Sequence, residues 1–494
     1  MDWIQASLGV FQPQVFLYLV IGVVAGALIG ALPGLTATMG VAVLTPISFW
    51  LEPEAGFAML IGVYNSAIWA GGISAILINT PGTPASIAST FDGYKLTQRG
   101  LSALALNINT IYSVLGGLLS SLCLILFAFP LARFALKFGP AEYAVLALFG
   151  LTMMVSVSGS SIVKGMLVGF LGLLLSTVGL DSMQAYKRYT LNNPALLDGL
   201  NFVPIMIGLF GIGEILYQIY TSEAKETSMV AEVKGTKKFL SLKEFGKLAP
   251  ANAMATIISV IIGVIPGAGG DIASIISWGQ ARRMSKHPEE YGEGSLEGLS
   301  VSCIANNAVI GGAMTTMLAL GIPGDAVTAI LIGSLMMYGM TPGPQIFIEN
   351  KPFVFTLIAQ LIVANFVILI FGLTTSRIYP KILKIKKTTL WVVVVMCCIV
   401  GAYAINNSYI DVISMALAGV FGFILRVMDF PQGPFILGML LSKLFESNLR
   451  RALSITMGNY SIFFTSPICI VLLAISVLSL VWPSIRKRLK KGAI

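Results

Sequence analysis

Long runs of apolar residues without charge are the feature that most limits how this chain can fold. Residues 15–39, 101–131, 353–375 and 388–404 form four such runs. Each is near or above the roughly 17–25 residues that cross the hydrocarbon core of a bilayer. Only 11% of the 494 residues are charged, whereas a soluble protein averages about 25%. We therefore predict an all-α polytopic membrane protein with about ten to fourteen crossings.

The net charge of +9 does not indicate a protein that binds nucleic acid. The basic residues lie in loops that flank the apolar runs, where they are topology signals and not a phosphate-binding face. The five cysteines lie within or beside apolar runs, and the only histidine, His287, lies in a charged loop. Neither pattern predicts a metal site. The start, Met1-Asp2-Trp3, lacks the basic leader of a cleaved signal peptide.

Clusters of lysine and arginine mark the cytoplasmic side of a membrane protein. The strongest clusters occupy residues 225–247, 377–387 and 486–491. This distribution predicts an N-terminus outside and a C-terminus in the cytoplasm, with Arg133 and Lys137 as the exception to the rule.

Two segments, residues 13–50 and 248–280, begin and end on the same side in this scheme. Each is therefore either a pair of crossings or a re-entrant hairpin. Residues 36–49 are short for a full span, which favours the hairpin.

Three motifs recur in the same order in the two halves of the chain. Gly30-Ala-Leu-Pro33-Gly34 resembles Gly263-Val-Ile-Pro266-Gly267, at an offset of 266 − 33 = 233. Residues 65–67 with 71–72 (NSA, GG) resemble residues 306–308 with 311–312 (NNA, GG). Residues 78–83 (INTPGT) resemble residues 320–325 (LGIPGD), at an offset of 323 − 81 = 242. An ordered set with nearly one offset indicates an internal repeat.

The loop charges indicate that the two repeats are inverted. Glu52 and Glu54 precede the second motif of the first half, whereas Arg282, Arg283 and Lys286 precede it in the second half. The halves then enter the membrane from opposite sides, as in many secondary transporters. We predict a first membrane repeat at residues 1–220, a cytoplasmic basic linker at 221–247, a second membrane repeat at 248–460, and an additional transmembrane helix with a basic tail at 461–494.

Each Pro-Gly pair should interrupt its helix, because proline lacks an N–H and clashes with the preceding turn. In lipid such breaks survive only inside protein or around a wet cavity. Their helix N-termini offer N–H groups to an anion, and their C-termini offer carbonyls to Na⁺. Packing glycines and simple kinks are the alternative. The candidate substrate-binding residues are Pro33, Gly34, Thr36, Asn65, Asn79, Thr80, Pro81, Gly82, Thr83, Gly267, Gly269, Gly270, Asn306, Asn307, Pro323 and Gly324.

Asp271 and Asp325 directly follow their Pro-Gly motifs. At membrane depth ionisable groups are costly and usually functional. Together with Thr328 they are candidates for cation coupling, as Na⁺ ligands or as proton carriers, and a coupling Na⁺ is the only bound metal or cofactor that the pattern suggests. The alternative is that each Asp caps the short helix after its break; the two roles are compatible.

An enzyme and a channel are the competing classes. Gly269-Gly270-Asp271 with Asp325 faintly resembles a membrane aspartyl protease, but Ala268 interrupts its Gly-x-Gly-Asp pattern. A passive channel for small anions is more plausible, although inverted repeats with broken helices are more typical of alternating access. We predict a transporter and not an enzyme.

Several longer motifs resemble the TctA family, the large membrane subunit of tripartite tricarboxylate transporters. They span residues 30–35, 76–84, 91–94, 265–273, 297–298, 305–308, 320–325, 340–344 and 437–451. The resemblance covers nearly the whole chain. It implies secondary active import of an organic carboxylate (a tricarboxylate, a dicarboxylate or an aromatic acid) across a bacterial inner membrane, driven by a gradient of Na⁺ or H⁺.

The resemblance also implies partners. These are a small four-helix membrane subunit and a periplasmic binding protein that delivers the substrate, within surrounding membrane lipid. It implies an elevator-like architecture as well, in which a mobile transport domain moves against a scaffold. The oligomeric state is not readable from the sequence, and a homo-oligomer stays open.

One position departs from the family pattern. A glutamate is usual three residues before the double asparagine, and here that residue is Cys303. The thiol removes a charge near the predicted site, so the substrate or the coupling ion could differ from those of the family.

Overall fold

The computed structural model describes residues 2–157, 161–181, 184–221, 239–375, 378–383 and 387–491. Most of the predicted basic linker at 221–247, and part of the basic loop at 377–387, lie outside these residues. The described chain is a set of helices with one two-residue strand pair, β1 (Gly179–Leu180) and β2 (Lys187–Arg188), which is antiparallel. The prediction of an all-α protein is therefore confirmed.

The helices of the first part of the chain begin and end as follows: α1 Asp2–Leu8, α2 Pro13–Ala31, α3 Ala37–Ser48, α4 Pro53–Ile78, α5 Ile87–Gln98, α6 Ser102–Ala135, α7 Pro140–Val157, α8 Ile162–Ser176, α9 Phe202–Ile207 and α10 Gly213–Thr221. A π-helical turn, Gly208–Ile212, joins α9 to α10. Short 3-10 turns lie at Gly9–Phe11, Pro84–Ser86 and Pro194–Leu196.

The second part contains twelve helices among its described residues: α11 Leu242–Val264, α12 Gly269–Met284, α13 Leu296–Leu320, α14 Ala326–Met337, α15 Ile346–Glu349, α16 Lys351–Thr375, α17 Tyr379–Ile382, α18 Lys387–Asn406, α19 Tyr409–Val427, α20 Gly433–Ile455, α21 Ile462–Thr465 and α22 Pro467–Lys491. A further 3-10 turn lies at Pro288–Glu290.

Nine helical segments within the described residues are long and apolar enough to cross a membrane, and five shorter apolar helices accompany them. Helices α3 and α14, each with 12 residues, belong to the shorter group. Val392, Met396 and Val400 form an exposed apolar stripe along α18, as expected where a helix faces lipid. The chain is a multi-pass membrane protein.

The centre of the fold consists of α4 and α13, which are almost wholly buried. Glycines allow neighbouring helices to touch their backbones. A Cβ built at Gly22 or Gly30 of α2 would lie 2.1 Å from a carbonyl oxygen of α4, and one at Gly263 of α11 would lie 2.3 Å from the carbonyl oxygen of Val309 on α13. This is the small-residue packing of membrane helices.

The two predicted repeats interleave instead of forming separate bodies. Helix α6 of the first half packs along α13, and α16 of the second half packs along α4. Helix α3 packs against α14, while α12 packs against the turn Pro84–Ser86 and α5. In each half, the helix that follows the first break (α3 or α12) therefore contacts the helix that follows the second break of the other half (α14 or α5).

A second group of helices lies around this core. Helices α7 and α8 pack against α20, α22 packs against α7, and α19 packs against α9, α10 and the π-helical turn. Ion pairs join parts of this group. Arg188 bonds Asp181 and Glu446, and Arg450 bonds the same two carboxylates, which ties the segment between α8 and α9 to α20.

Candidate functional site

All four Pro-Gly pairs interrupt helices, as predicted. Helices α2, α4, α11 and α13 end just before Pro33, Pro81, Pro266 and Pro323, and new helical turns begin a few residues later. Each half has two breaks. The second one, at Pro81 in the first half and at Pro323 in the second, has the same backbone in both halves. Asn79 ends α4 at φ 56° and Gly321 ends α13 at φ 71°, both in the left-handed region that suits asparagine and glycine.

Within each half the two breaks lie against each other. A Cβ built at Gly82 would lie 1.9 Å from the carbonyl oxygen of Gly30, and one at Gly324 would lie 2.5 Å from the carbonyl oxygen of Gly263. In the second half the backbone N–H of Gly267 also donates to the carbonyl of Gly324 at 2.7 Å. Only glycine allows this approach, so these predicted residues shape the breaks.

A pair of side chains shapes the new helix start after each second break. In the second half, Asp325 Oδ1 accepts from the backbone N–H of Thr328 at 2.8 Å and from its hydroxyl at 2.7 Å. In the first half, the backbone N–H of Thr83 donates to Ser86 Oγ at 3.3 Å, and the Ser86 hydroxyl donates to the carbonyl of Thr83 at 2.8 Å. The capping role of Asp325 is therefore confirmed; its role in cation coupling stays a prediction.

Tyr64, which was not among the predicted site residues, connects the two halves at this point. Its hydroxyl donates to Oδ2 of Asp325, and the ring is fully buried on α4. The residue directly precedes Asn65, which was the available signal. Its partner is 261 positions away in the sequence.

Three asparagines lie on α4 and α13 at the junction of the two halves. The side-chain amide of Asn307 donates to the backbone carbonyl of Asn65 at 3.2 Å. The Ser113 hydroxyl donates to Asn306 Oδ1 at 3.4 Å. Within the described protein, Asn65 Oδ1, Asn307 Oδ1 and Asn306 Nδ2 are buried without a hydrogen-bond partner. Buried polar groups rarely remain so, and this cluster therefore has unused capacity to bind a ligand.

The start of α12 borders the same region. Gly269 takes φ 63°, and a Cβ built at Gly270 would lie 2.9 Å from Ala85 Cβ and 3.4 Å from the carbonyl oxygen of Asn306. Asp271 lies in the first turn of α12, and the hydrogen bond from the Gly267 N–H to the Gly324 carbonyl joins the residues just before α12 to the residue just before Asp325. The structure thus brings Thr83, Asn306, Asp271 and Asp325 into one neighbourhood.

Other predicted residues have contacts of their own. Gly34, at φ 98°, accepts a hydrogen bond on its carbonyl oxygen from the side-chain amide of Gln218 on α10. Thr36 caps α3 by accepting from the backbone N–H of Met39 at 3.1 Å. Asn79 is exposed at the end of α4, and the Thr80 hydroxyl donates to the carbonyl of Ile78 at 3.3 Å.

Asp92 belongs to the motif at residues 91–94, for which no role was predicted. Its Oδ1 accepts from the backbone N–H groups of Gly292, Gly294 and Ser295 at 2.8–3.1 Å, and Oδ2 accepts from Trp278 Nε1 at 2.8 Å. This buried carboxylate therefore ties α5 of the first half to the α12–α13 connection of the second.

Cys303, one turn before the asparagine pair, is buried, and its Sγ lies 3.8 Å from Ser89 Oγ. The side chain thus packs between α5 and α13 in neutral surroundings.

Three cavities, of about 650, 810 and 500 Å³, lie away from the asparagine cluster. The 650 and 500 Å³ cavities share Met336, Leu440 and Lys443, and the 500 Å³ cavity reaches Gly321 at the second break of the second half. These cavities lie beside the core, and one of them extends to a helix break.

The fold and the buried asparagine cluster together define the class of protein: it is a multi-pass α-helical membrane transporter with paired broken helices. A sequence profile described as the tripartite tricarboxylate transporter TctA family matches residues 16–437. The chain belongs to this family and is therefore a subunit of a tripartite tricarboxylate transporter.

Two Agrobacterium vitis proteins are similar to the chain over different lengths. The first, described as an uncharacterized 52.8 kDa protein in the TAR-I ttuC' 3' region, is 35% identical over 474 residues, which cover 95% of this chain and 94% of that protein. The second, described as an uncharacterized protein in the TAR-II ttuC' 3' region, is 32% identical over 231 residues, which cover 46% of this chain and 96% of that protein. No solved structure shows significant similarity.

Proposed function

We propose that the chain imports a small organic carboxylate across the bacterial inner membrane by alternating access, coupled to a gradient of Na⁺ or H⁺. A periplasmic binding protein delivers the substrate, and a small four-helix membrane subunit completes the complex. The observation that carries this proposal is the meeting of two broken-helix pairs at a buried centre with three unpartnered amide atoms. Broken helices at such a centre are typical of secondary transporters.

The two halves contribute different chemistry to this centre. The second break of the first half offers neutral groups, Thr83 and Ser86, at a helix start, where an anion is favoured. The second half adds two carboxylates, Asp271 and Asp325, with Thr328. We assign the substrate carboxylate to the first half and the coupling cation to the second.

The proposed movement takes place between the core and the surrounding helices. Helices α2–α6 and α11–α16 form the transport domain, and the helices around α7, α8, α19 and α20 form the scaffold. The 650 and 500 Å³ cavities lie where α14 of the core meets α20, and we assign them to the substrate entry path. In the proposed orientation the N-terminus lies outside and the C-terminus in the cytoplasm.

The test is uptake in membrane vesicles that contain the chain with its two partner subunits. Citrate, succinate and benzoate, each radiolabelled, represent the three carboxylate classes, and Na⁺ and pH gradients are imposed separately. Accumulation that requires one gradient supports the proposal and identifies the ion. Equilibration without either gradient would instead indicate a passive channel for small anions. Cleavage of a reporter peptide would indicate the aspartyl protease alternative.

A further inference from the structure

The two cavities that we assign to the entry path differ in the charged residues that line them. The 500 Å³ cavity is lined by Lys443 and Arg451 and, among the described residues, by no acidic side chain. The 650 Å³ cavity is lined by Asp198 and Asp411, with Lys443 as the one basic residue from the described part of the chain. The 500 Å³ cavity is therefore the one with an excess of positive charge.

Lys443 and Arg451 lie on one face of α20. They are 451 − 443 = 8 residues apart, and Ser447, midway between them, lines the same cavity, as expected for helix residues spaced by four. Both cations are exposed, and no ion pair within the described residues includes either of them. Their charges are therefore available to a ligand.

The acidic residues beside this face already have partners. Glu446, which is also on α20, pairs with Arg188 and Arg450, and Asp181 pairs with the same two arginines. Neither carboxylate lines the 500 Å³ cavity. The charges on α20 that this pairing leaves uncompensated within the described chain are those of the two cavity cations.

The 500 Å³ cavity lies between the core and the surrounding helices. Its walls include Pro140 and Tyr143 at the start of α7, and Thr341 and Gln345 in the segment that follows α14. In the proposed orientation the start of α7 and this segment, like the end of α20, face outside. The cavity then lies on the side from which the binding protein delivers the substrate.

The exception to the charge rule lies at the same place. Arg133, near the end of α6, and Lys137, just after that helix, are exposed and would lie outside in this orientation. Lys137 directly precedes Phe138, which lines the 500 Å³ cavity. Basic residues that contradict the rule have a function here if they attract anions, because a group of like charges raises the local concentration of the opposite ion.

We propose that Lys443 and Arg451 bind a carboxylate group of the substrate in the 500 Å³ cavity, before the substrate reaches the buried centre. Hydrogen bonds from lysine or arginine to a carboxylate are charge-assisted and therefore strong, and the cavity has the volume of an ordinary small-molecule site. The inference rests on the proposed function and deepens it, because it adds an anion-binding step on the scaffold helix α20 that precedes binding at the broken helices.

The test is the dependence of uptake on substrate concentration in the vesicles described above, with whichever acid the wild-type complex accumulates. Lys443→Gln should lower the initial slope of uptake against concentration by at least about tenfold, because a charge-assisted contact is lost. The maximal rate at saturation should stay within about twofold of the wild type, since the buried centre is unchanged. Lys443→Arg keeps the charge and should lower the slope by less than about threefold.

Arg451→Gln should also lower the initial slope, and the double variant should lower it more than either single variant. Lys187→Gln is the matched control and should leave the slope unchanged. Lys187 is an exposed lysine of β2, on the same side in the proposed orientation, and it lines none of the three cavities. A wild-type slope in Lys443→Gln would overturn the inference. An equal loss in Lys443→Gln and Lys443→Arg would overturn it too, because shape and not charge would then matter.

An anionic phospholipid headgroup would offer similar chemistry to the same two cations. The complex is therefore also reconstituted into liposomes of phosphatidylcholine alone and of phosphatidylcholine mixed with phosphatidylglycerol. We expect Lys443→Gln to lower the initial slope equally in both. A loss that occurs only with the anionic lipid would assign the cations to a lipid headgroup and would reject the substrate site.

Failure of this inference is distinguishable from failure of the proposed function. A wild-type complex that accumulates none of the three acids under either gradient would contradict both. Gradient-driven wild-type uptake, together with an unchanged initial slope in Lys443→Gln, would retain the proposed function and reject the outer carboxylate site alone.

Discussion

The segments after the two second breaks share a backbone course but are held to the opposite half by different means. Helix α5 is held through Asp92, whose carboxylate accepts four hydrogen bonds from the α12–α13 region. Helix α14 is held at each end by one phenol: the hydroxyl of Tyr64 on α4 donates to Asp325 at its start, and the hydroxyl of Tyr338 at its end donates to the carbonyl of Ser48 on α3. The two repeats therefore share the course of the backbone, whereas the attachments and the charges of these segments differ between the halves.

That difference suggests a division of labour. A rigid connection around α5 suits the half that we assign to the substrate, because a carboxylate site needs fixed donors. The start of α14 carries its own anion and a single phenol from α4. This suits a place whose charge balance changes when a cation binds or leaves. The predictions that follow test the shared backbone first and the separate chemistry next.

Gly82→Ala should have the largest effect, because it disrupts the close contact between the two breaks of the first half. The second half has the same kind of contact. The new Cβ would lie 1.9 Å from the carbonyl oxygen of Gly30, and no side-chain rotation can relieve a clash with backbone. We expect a loss of stability above about 3 kcal/mol and little folded protein in detergent. Gly279→Ala on α12 is the control, since nothing lies within 4 Å of its added Cβ. A folded, active Gly82→Ala chain would refute the close contact of the two breaks.

Asp325→Asn should lower gradient-driven uptake by about a hundredfold, a loss of roughly 2.7 kcal/mol in transition free energy, while the chain stays folded. Asparagine caps a helix about as well as aspartate, so the start of α14 persists while the charge is removed. Asp325→Ala, which loses cap and charge together, should also lower the melting temperature. Wild-type uptake by Asp325→Asn would show that the carboxylate is only a cap.

Asp92→Asn should destabilise the chain by about 2 kcal/mol, because one of its carboxylate oxygens becomes an NH₂ group that faces N–H donors. Tyr338→Phe removes one of the two phenol connections of α14 and should cost only about 1 kcal/mol. Denaturation of both purified variants measures this difference directly. Equal losses would remove the asymmetry of attachment from which the comparison starts.

The local parts of this design could be predicted from the sequence. Proline fixes its own φ and lacks an N–H, so the breaks at Pro33, Pro81, Pro266 and Pro323 are encoded within a few residues. The recurrence of the motifs at nearly one offset also predicted which breaks correspond. Capping by Asp325 could be predicted because aspartate is a favoured residue at a helix start.

The contacts between distant residues could not be predicted in this way. Tyr64 meets Asp325 across 261 positions, and Gln218 meets Gly34 across 184 positions. No periodicity or spacing in one sequence encodes such pairs. Asn79 lies at an exposed helix end at positive φ, and its role in substrate binding stays a prediction. The direction in which each half crosses the membrane stays a prediction from the loop charges.

Gly321 offers the smallest and most direct test of the shared backbone. It ends α13 at φ 71°, and its equivalent in the first half is Asn79 at φ 56°. A Cβ at position 321 would lie 3.0 Å from the backbone carbonyl oxygen of Pro342, so Gly321→Asn and Gly321→Ala share the same steric cost. Asparagine tolerates the left-handed conformation better than alanine, and Gly321→Asn should therefore cost about 1 kcal/mol less than Gly321→Ala. Denaturation of the two variants side by side measures the difference, and equal costs would mean that the breaks follow different backbone courses in the two halves.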